Sequence, residues 1–200
     1  MASRKRSASQ TASVARCSLT VFDMVLVETE RLFIRDWVSD DWKRYKPLAT
    51  DPRVLKYICV EPSPDERIKA FVNGGIRTAK TRGWILWPVI HRDDAELIGF
   101  CGFNDGFPPD VELAWRLRPD YWGRGLATEI AQAVMEYGWN EFGFDRLVSV
   151  IHPENRASVR VAEKLGMTLD GTLSYHGSEV LRYAKNHPRL ERSDTATAGR

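Results

Sequence analysis

A chain of 200 residues, 43% of them hydrophobic and seven of them tryptophan, is long enough to bury one sizeable core, and a single domain is the expectation. Its formal charge of +2 is unevenly placed: Arg4, Lys5, Arg6 and Arg16 fall in residues 1–22, which hold no acid, leaving 25 basic against 27 acidic residues elsewhere. That balance gives no electrostatic ground for nucleic-acid binding, which needs a concentrated basic face.

Residues 1–22 are rich in Ser, Arg and Ala without apolar periodicity, so burial cannot offset their ordering entropy. They read as a disordered basic extension ahead of a domain at 23–190. A transit peptide has the same composition; an over-extended start is the favoured reading, since Met24 stands directly before the first strand-like run, Val25 to Trp37. Val25 to Arg35 predicts a first strand, and Ser39 or Asp40 caps a helix carrying Trp42 and Tyr45. Ser63-Pro64-Asp65-Glu66 has the form of a capping box with proline at the first helical position; it opens a helix that stops near Gly83 and is weakened by Gly74-Gly75. Trp84 to His91 and Glu96 to Asn104 flank the turn-forming Arg92-Asp93-Asp94-Ala95 and predict a hairpin. Val111 to Leu117 is a further strand. Between Gly123 and Phe142, Leu126, Ile130, Val134 and Tyr137 define one helical face. Leu147 to His152 is strand-like, Asn155 to Leu165 is helical and ends at Gly166, and Met167 to Leu173 and Glu179 to Ala184 supply the last strands. Residues 191–200 read as a disordered tail. The order predicts a mixed α/β (α+β) fold with a largely antiparallel start.

Cys17, Cys59 and Cys101 match neither a disulfide framework nor a zinc site, and His91, His152, His176 and His187 stand far apart. No metal is expected, and a reducing cytoplasmic setting is. The longest apolar runs, such as Trp84 to Ile90, fall far short of a bilayer span, so no membrane is expected as a partner. The tryptophans Trp84, Trp87, Trp115, Trp122 and Trp139 are assigned to the core, with a place in an acceptor pocket open to Trp115.

The segment that carries chemistry is Tyr121-Trp122-Gly123-Arg124-Gly125-Leu126-Ala127-Thr128-Glu129, between a strand and a long helix. The first amides of a helix lack internal partners and carry partial positive charge, so a pyrophosphate can bind there. Glycines let the backbone approach phosphate oxygens, Ala127 keeps the approach open, and Arg124 can add a charge-assisted contact. A tight turn that merely needs glycine explains Gly-Arg-Gly equally well. A dinucleotide fingerprint would want Gly or Ala where Thr128 stands, and an ATPase-type loop would want Gly-Lys-Ser/Thr, which is absent.

The company this turn keeps resembles the GNAT (GCN5-related) N-acetyltransferase superfamily, on the branch of the ribosomal-protein N-terminal acetyltransferases. The resemblance covers about Val25 to Lys185: Glu28-Thr29-Glu30-Arg31-Leu32, Glu96-Leu97-Ile98-Gly99-Phe100, and above all Val111 to Met167. The family's Arg/Gln-x-x-Gly-x-Gly/Ala motif maps onto Trp122 to Ala127, with Trp122 where Arg or Gln is usual, a variant common in this branch. The second block is Asn155-Arg156-Ala157-Ser158 followed by Glu163-Lys164-Leu165-Gly166-Met167. The resemblance implies a splayed, mostly antiparallel mixed sheet flanked by helices. It implies acetyl-CoA as co-substrate, held by Leu117, Gly123, Arg124, Gly125, Leu126, Ala127, Thr128, Asn155 and Ser158, with the backbone near Leu117 and the Asn155 side chain on the pantetheine arm. Asn155 can also simply cap its helix.

Direct acetyl transfer to a primary amine needs the amine neutral. Deprotonating a lysine-like ammonium at pH 7 costs about 4.6 kcal/mol, against about 1.4 kcal/mol for an α-amino group near pKa 8. The resemblance makes Glu112 the candidate base, since relatives often carry a carboxylate on this strand; a plain exposed strand glutamate is the other reading. Where many members place a tyrosine to protonate the thiolate, this chain has Ala162, leaving Ser174, Tyr175 and His176 as loosely placed substitutes and a non-catalytic acyl-CoA-binding sensor as the alternative function. His152 reads as a strand-end residue, and Cys101, in an apolar strand, as a poor nucleophile. The acceptor is an amine, a protein N-terminus or a small molecule, whose pocket is assigned to loops around Cys59 to Pro64, Phe107 to Asp110 and Ser174 to Ser178. Monomer and homodimer are both open.

Overall fold

Thr29 divides the first predicted strand. Its amide donates to the Leu32 carbonyl at 2.9 Å while its hydroxyl accepts from the Leu32 amide at 3.0 Å, closing a turn. Val25 to Arg35 therefore folds as two antiparallel strands, β1 (Val25–Glu28) and β2 (Leu32–Arg35). A computed structural model describes residues 25–58, 62–175 and 177–190. The basic extension at 1–22, the tail at 191–200, Cys17, Cys59 and His176 lie outside these residues.

Helix α1 (Asp41–Thr50) follows Asp40, and α2 (Pro52–Leu55) is a single turn. Helix α3 (Asp65–Arg82) begins one residue later than a capping box requires: Pro64 holds the capping position, no side chain caps the helix, and the Pro64 carbonyl accepts from Arg67 and Ile68. It ends at Gly83 as expected. Gly75 does more than weaken the helix, because a Cβ there would stand 2.6 Å from Cδ1 of Trp37. The absent side chain lets α3 close on the indole.

The expected hairpin forms between β3 (Leu86–His91) and β4 (Leu97–Phe107), and β4 runs on past Asn104. Then follow β5 (Asp110–Leu117), a 3₁₀ turn (Pro119–Tyr121), α4 (Leu126–Phe142), β6 (Arg146–Ile151), α5 (Arg156–Lys164), β7 (Thr168–Tyr175) and β8 (Ser178–Asn186). One sheet holds the strands in the order β1-β2-β3-β4-β5-β6-β8-β7, antiparallel everywhere except between β5 and β6. Both faces are covered. Tyr45 of α1 and Phe71 of α3 meet Phe100 at 6.2 and 6.0 Å, while Tyr137 and Phe142 of α4 meet Trp87 at 6.0 and 6.5 Å. Among the described residues no helix is long and apolar enough to cross a membrane.

The parallel pair is where the sheet opens. Backbone registration between β5 and β6 stops after Val111 with Leu147 and Glu112 with Val148. At the next step the Ser149 hydroxyl donates to the Leu113 carbonyl at 2.6 Å, a side chain standing in for a ladder bond. Beyond it the strands part, as the resemblance implies.

Candidate active site

The turn that joins β5 to α4 is pinned at both ends and open in the middle. Buried Tyr121 donates its hydroxyl to Asp94 at 2.7 Å, tying the turn to the β3–β4 hairpin. Gly123 and Gly125 have φ of +74° and +79°, a region that costs an L side chain about 1–2 kcal/mol. The Trp122 amide donates to Pro119 and the Glu129 amide to Gly125; between them, among the described residues, the amides of Gly123 to Thr128 take no backbone acceptor. Gly123, Arg124 and Gly125 are exposed, and an added Cβ at Gly123 would meet nothing within 4 Å. Six successive amides without a backbone acceptor, the first three of them on exposed residues, at a helix mouth fit a diphosphate. The Arg124 guanidinium lies 5.4 Å from the Tyr121 ring centre, a cation placed beside these amides.

Trp122 corrects the assignment of the tryptophans to the core. It is 48% exposed, and its indole N–H donates to the Leu117 carbonyl at 2.7 Å. The fork explains this, since β6 no longer supplies a donor there. Leu117 keeps one carbonyl lone pair for another donor.

Glu112 stands at the fork itself. It lines a cleft of about 160 Å³ together with Ala114 and Arg116 of β5, Val150 and His152 of the β6 end, and Tyr57, Phe107 and Tyr175. Burial pushes the Glu112 carboxyl up; Asn104, which donates at 3.0 Å, the Val150 amide and the Arg116 charge pull it back without cancelling the rise. A plain exposed glutamate is thereby set aside. The group is a partly buried carboxylate whose proton affinity is moved toward neutrality, as suits a general base.

The other expected residues fall in different places. The Asn155 side chain accepts from the Ser158 amide at 3.2 Å, so the capping role is present. Ala162 is wholly buried. Cys101 is buried too, and burial holds its thiol protonated far above the ordinary range, which agrees with its dismissal as a nucleophile. Of the three acceptor loops, Ile58, Phe107, Tyr175 and Ser178 at their edges reach the cleft; Ser174 does not line it. Trp115 points to the opposite face from Glu112 and Arg116 and does not line it either. Sequence reasoning passed over Asn104 and Arg116 and left His152 as a strand-end residue, although Glu112, Ala114 and Arg116 alternate as one face of a strand must. Among the described residues no group of three His, Cys, Asp or Glu side chains could hold a metal.

Comparison with known proteins bears on this site. Residues 31–168 match the family model described as the acetyltransferase (GNAT) domain. The uncharacterized N-acetyltransferase YnaD of Bacillus subtilis (strain 168) is 37% identical over 146 residues, 72% of this chain and 84% of that protein. The solved structure of a GNAT-family acetyltransferase from Bacillus anthracis is similar with a TM-score of 0.71 at 30% identity, over 82% of this chain and 98% of that one. RimL, the ribosomal L7/L12 alpha-N-protein acetyltransferase, solved in complex with coenzyme A, shares the fold with a TM-score of 0.69 at 20% identity, over 81% and 97% of the two chains.

Proposed function

This chain belongs to the GNAT acetyltransferase family, and from that premise we propose that it moves an acetyl group from acetyl-CoA to a primary amine in the Glu112 cleft. The observation that carries the reading is the coincidence, at one sheet fork, of a run of amides from Gly123 to Thr128 that take no backbone acceptor with a partly buried carboxylate, Glu112, on the strand that leads into that turn. The thioester supplies the activated acetyl group. The turn amides and Arg124 would hold the diphosphate; the parted edges of β5 and β6, with Leu117 and Asn155 nearby, would receive the pantetheine arm. Glu112, accepting from Asn104 and Val150, would take the ammonium proton and keep the amine neutral for attack. Ala162 offers no proton to the departing thiolate, but a buried alanine is equally silent about catalysis, so it lends a non-catalytic sensor no support.

The test is thiol release from acetyl-CoA across a panel of primary amines, read beside thermal protection by coenzyme A. Amine-dependent release with protection is the expected result; neither protection nor release, under any amine, overturns the reading.

A further inference from the structure

Arg116 is a half-buried cation on the same face of β5 as Glu112, four positions along the strand or roughly 13 Å at the β repeat. Among the described residues no carboxylate oxygen comes within 4.0 Å of it. The groups it lies against are neutral: the guanidinium sits 5.1 Å above the Phe100 ring and beside the Tyr45 hydroxyl, whose rise on burial its charge partly offsets. These contacts fix the group without an ion pair; Glu112 feels its charge only through space, and a partly desolvated cation so incompletely offset is costly. Five fixed N–H donors suit a planar anion, and Tyr45 does not exhaust them. Glu112, the carboxylate lining the same cleft, is engaged by Asn104 and the Val150 amide.

Resting on the acetyl-transfer reading, we propose that the acceptor is a primary amine that also carries an anionic group, the amine facing Glu112 and the anion pairing with Arg116. Such a molecule sets a cation against the carboxylate at one end of the cleft and an anion against the guanidinium at the other. A polyamine would instead set a second ammonium against Arg116. The anion's source is either the carboxylate of a free amino acid or an acidic side chain close to a peptide N-terminus, since both present the same two charges.

The experiment compares kcat/KM for L-leucine with L-leucinamide, for the C-terminally amidated peptide Ser-Asp-Ala-amide with Ser-Asn-Ala-amide, and for spermidine. The acid member of at least one pair is expected to lead its neutral twin by about tenfold or more, the lower end applying where solvent screens the pair. This holds although the amide's amine is the easier to deprotonate. Which pair shows the lead identifies the source. Arg116→Gln should collapse the acid-to-neutral ratio, chiefly through KM, and Arg116→Lys should restore part of it. Should Arg116→Gln not fold, the wild-type ratios and Arg116→Lys decide alone. Equal or better turnover of the neutral twins or spermidine, or a uniform loss across all acceptors in Arg116→Gln, overturns the inference and leaves acetyl transfer standing. No release from any amine overturns acetyl transfer, and this inference falls with it.

Discussion

Arg31 and Glu129, 98 positions apart in sequence, are joined by three bonds: the Arg31 amide reaches Oε1 at 3.0 Å, and its Nε and Nη2 reach Oε2 at 2.8 and 2.5 Å. Thr29 adds its hydroxyl to Oε1 at 2.6 Å, and Arg31 Nη1 donates to the Arg124 carbonyl at 3.0 Å. The turn that splits the first strand is thus bolted to the first turn of α4 and to the middle of the proposed diphosphate loop. Burial would raise the Glu129 carboxyl, yet Thr29 and Arg31 outweigh it and hold it below the ordinary range.

Arg31→Ala should therefore loosen the loop without touching a ligand. A sub-ångström shift of positioned groups costs about ten- to a hundredfold, and this should appear as a weaker coenzyme A affinity in calorimetry, with the acceptor KM nearly unmoved. Because the Glu129 carboxyl is depressed, its contribution is full above its unfolded value and fades as pH falls through the folded one. The affinity gap between wild type and Glu129→Gln should narrow as the solution is acidified; a constant gap would count against the clamp.

Glu112 makes the opposite prediction. Its carboxyl is raised, so the native state holds the proton more tightly than the unfolded chain, and stability falls as pH climbs from the unfolded to the folded value. At neutral pH the ionised side chain burdens the fold. Glu112→Gln should then lower turnover by about 10² or more while coenzyme A affinity holds, and should raise the melting temperature at neutral pH, an advantage that disappears in acid. Asn104→Leu removes a bond that favours the charged form, so the acid limb of kcat/KM should move to higher pH.

The periodic elements were legible because burial imposes them: the steps of Leu126, Ile130 and Val134 survive into the structure as buried positions of α4. Three features were not. Thr29 breaks a strand through its own side chain, a local competition that apolar pattern does not register. Trp122 faces solvent because a long-range fork leaves the Leu117 carbonyl in want of a donor. Arg31 and Thr29 belong to a recognisable sequence block, but their partner lies on a distant helix, so the block could be seen and its work could not. In the site, Glu112 and the glycine turn were nameable, whereas Arg116 needed the faces of β5 to be assigned.

The proposed loop can be tested at a single atom. Gly125 has φ of +79°, and the nearest group to an added Cβ is Arg31 Nη2 at 3.8 Å, so alanine meets strain rather than collision. The strain of about 1–2 kcal/mol for an L residue there can be relieved only by re-aiming the amides that follow. Gly125→Ala should weaken coenzyme A about tenfold, and the β-branched Gly125→Val further, while the melting temperature without ligand moves little. Unchanged affinity in both variants would detach this turn from the diphosphate.

The last prediction concerns the scaffold. Arg35 and Asp41 form a two-pronged ion pair at 2.7 and 2.9 Å, their side chains 6% and 2% exposed, and Asp41 also accepts from the Val38 amide at 2.9 Å. The pair joins β2 to the start of α1, and Tyr45, which stands beside Arg116, sits one turn farther along that helix. Removing Asp41 strands a guanidinium away from water, which costs more than the pair was worth; about 3–5 kcal/mol is usual for such a break. In a domain of this size each kcal/mol moves the midpoint by about 2–4 °C, so Asp41→Ala should lower the melting temperature by roughly 6–20 °C. Replacing both partners at once, as Arg35→Met with Asp41→Leu, removes the orphaned charge and should recover much of that loss. Equal instability in the single and double variants would mean that the packing of α1, and not the charge pair, fastens this corner.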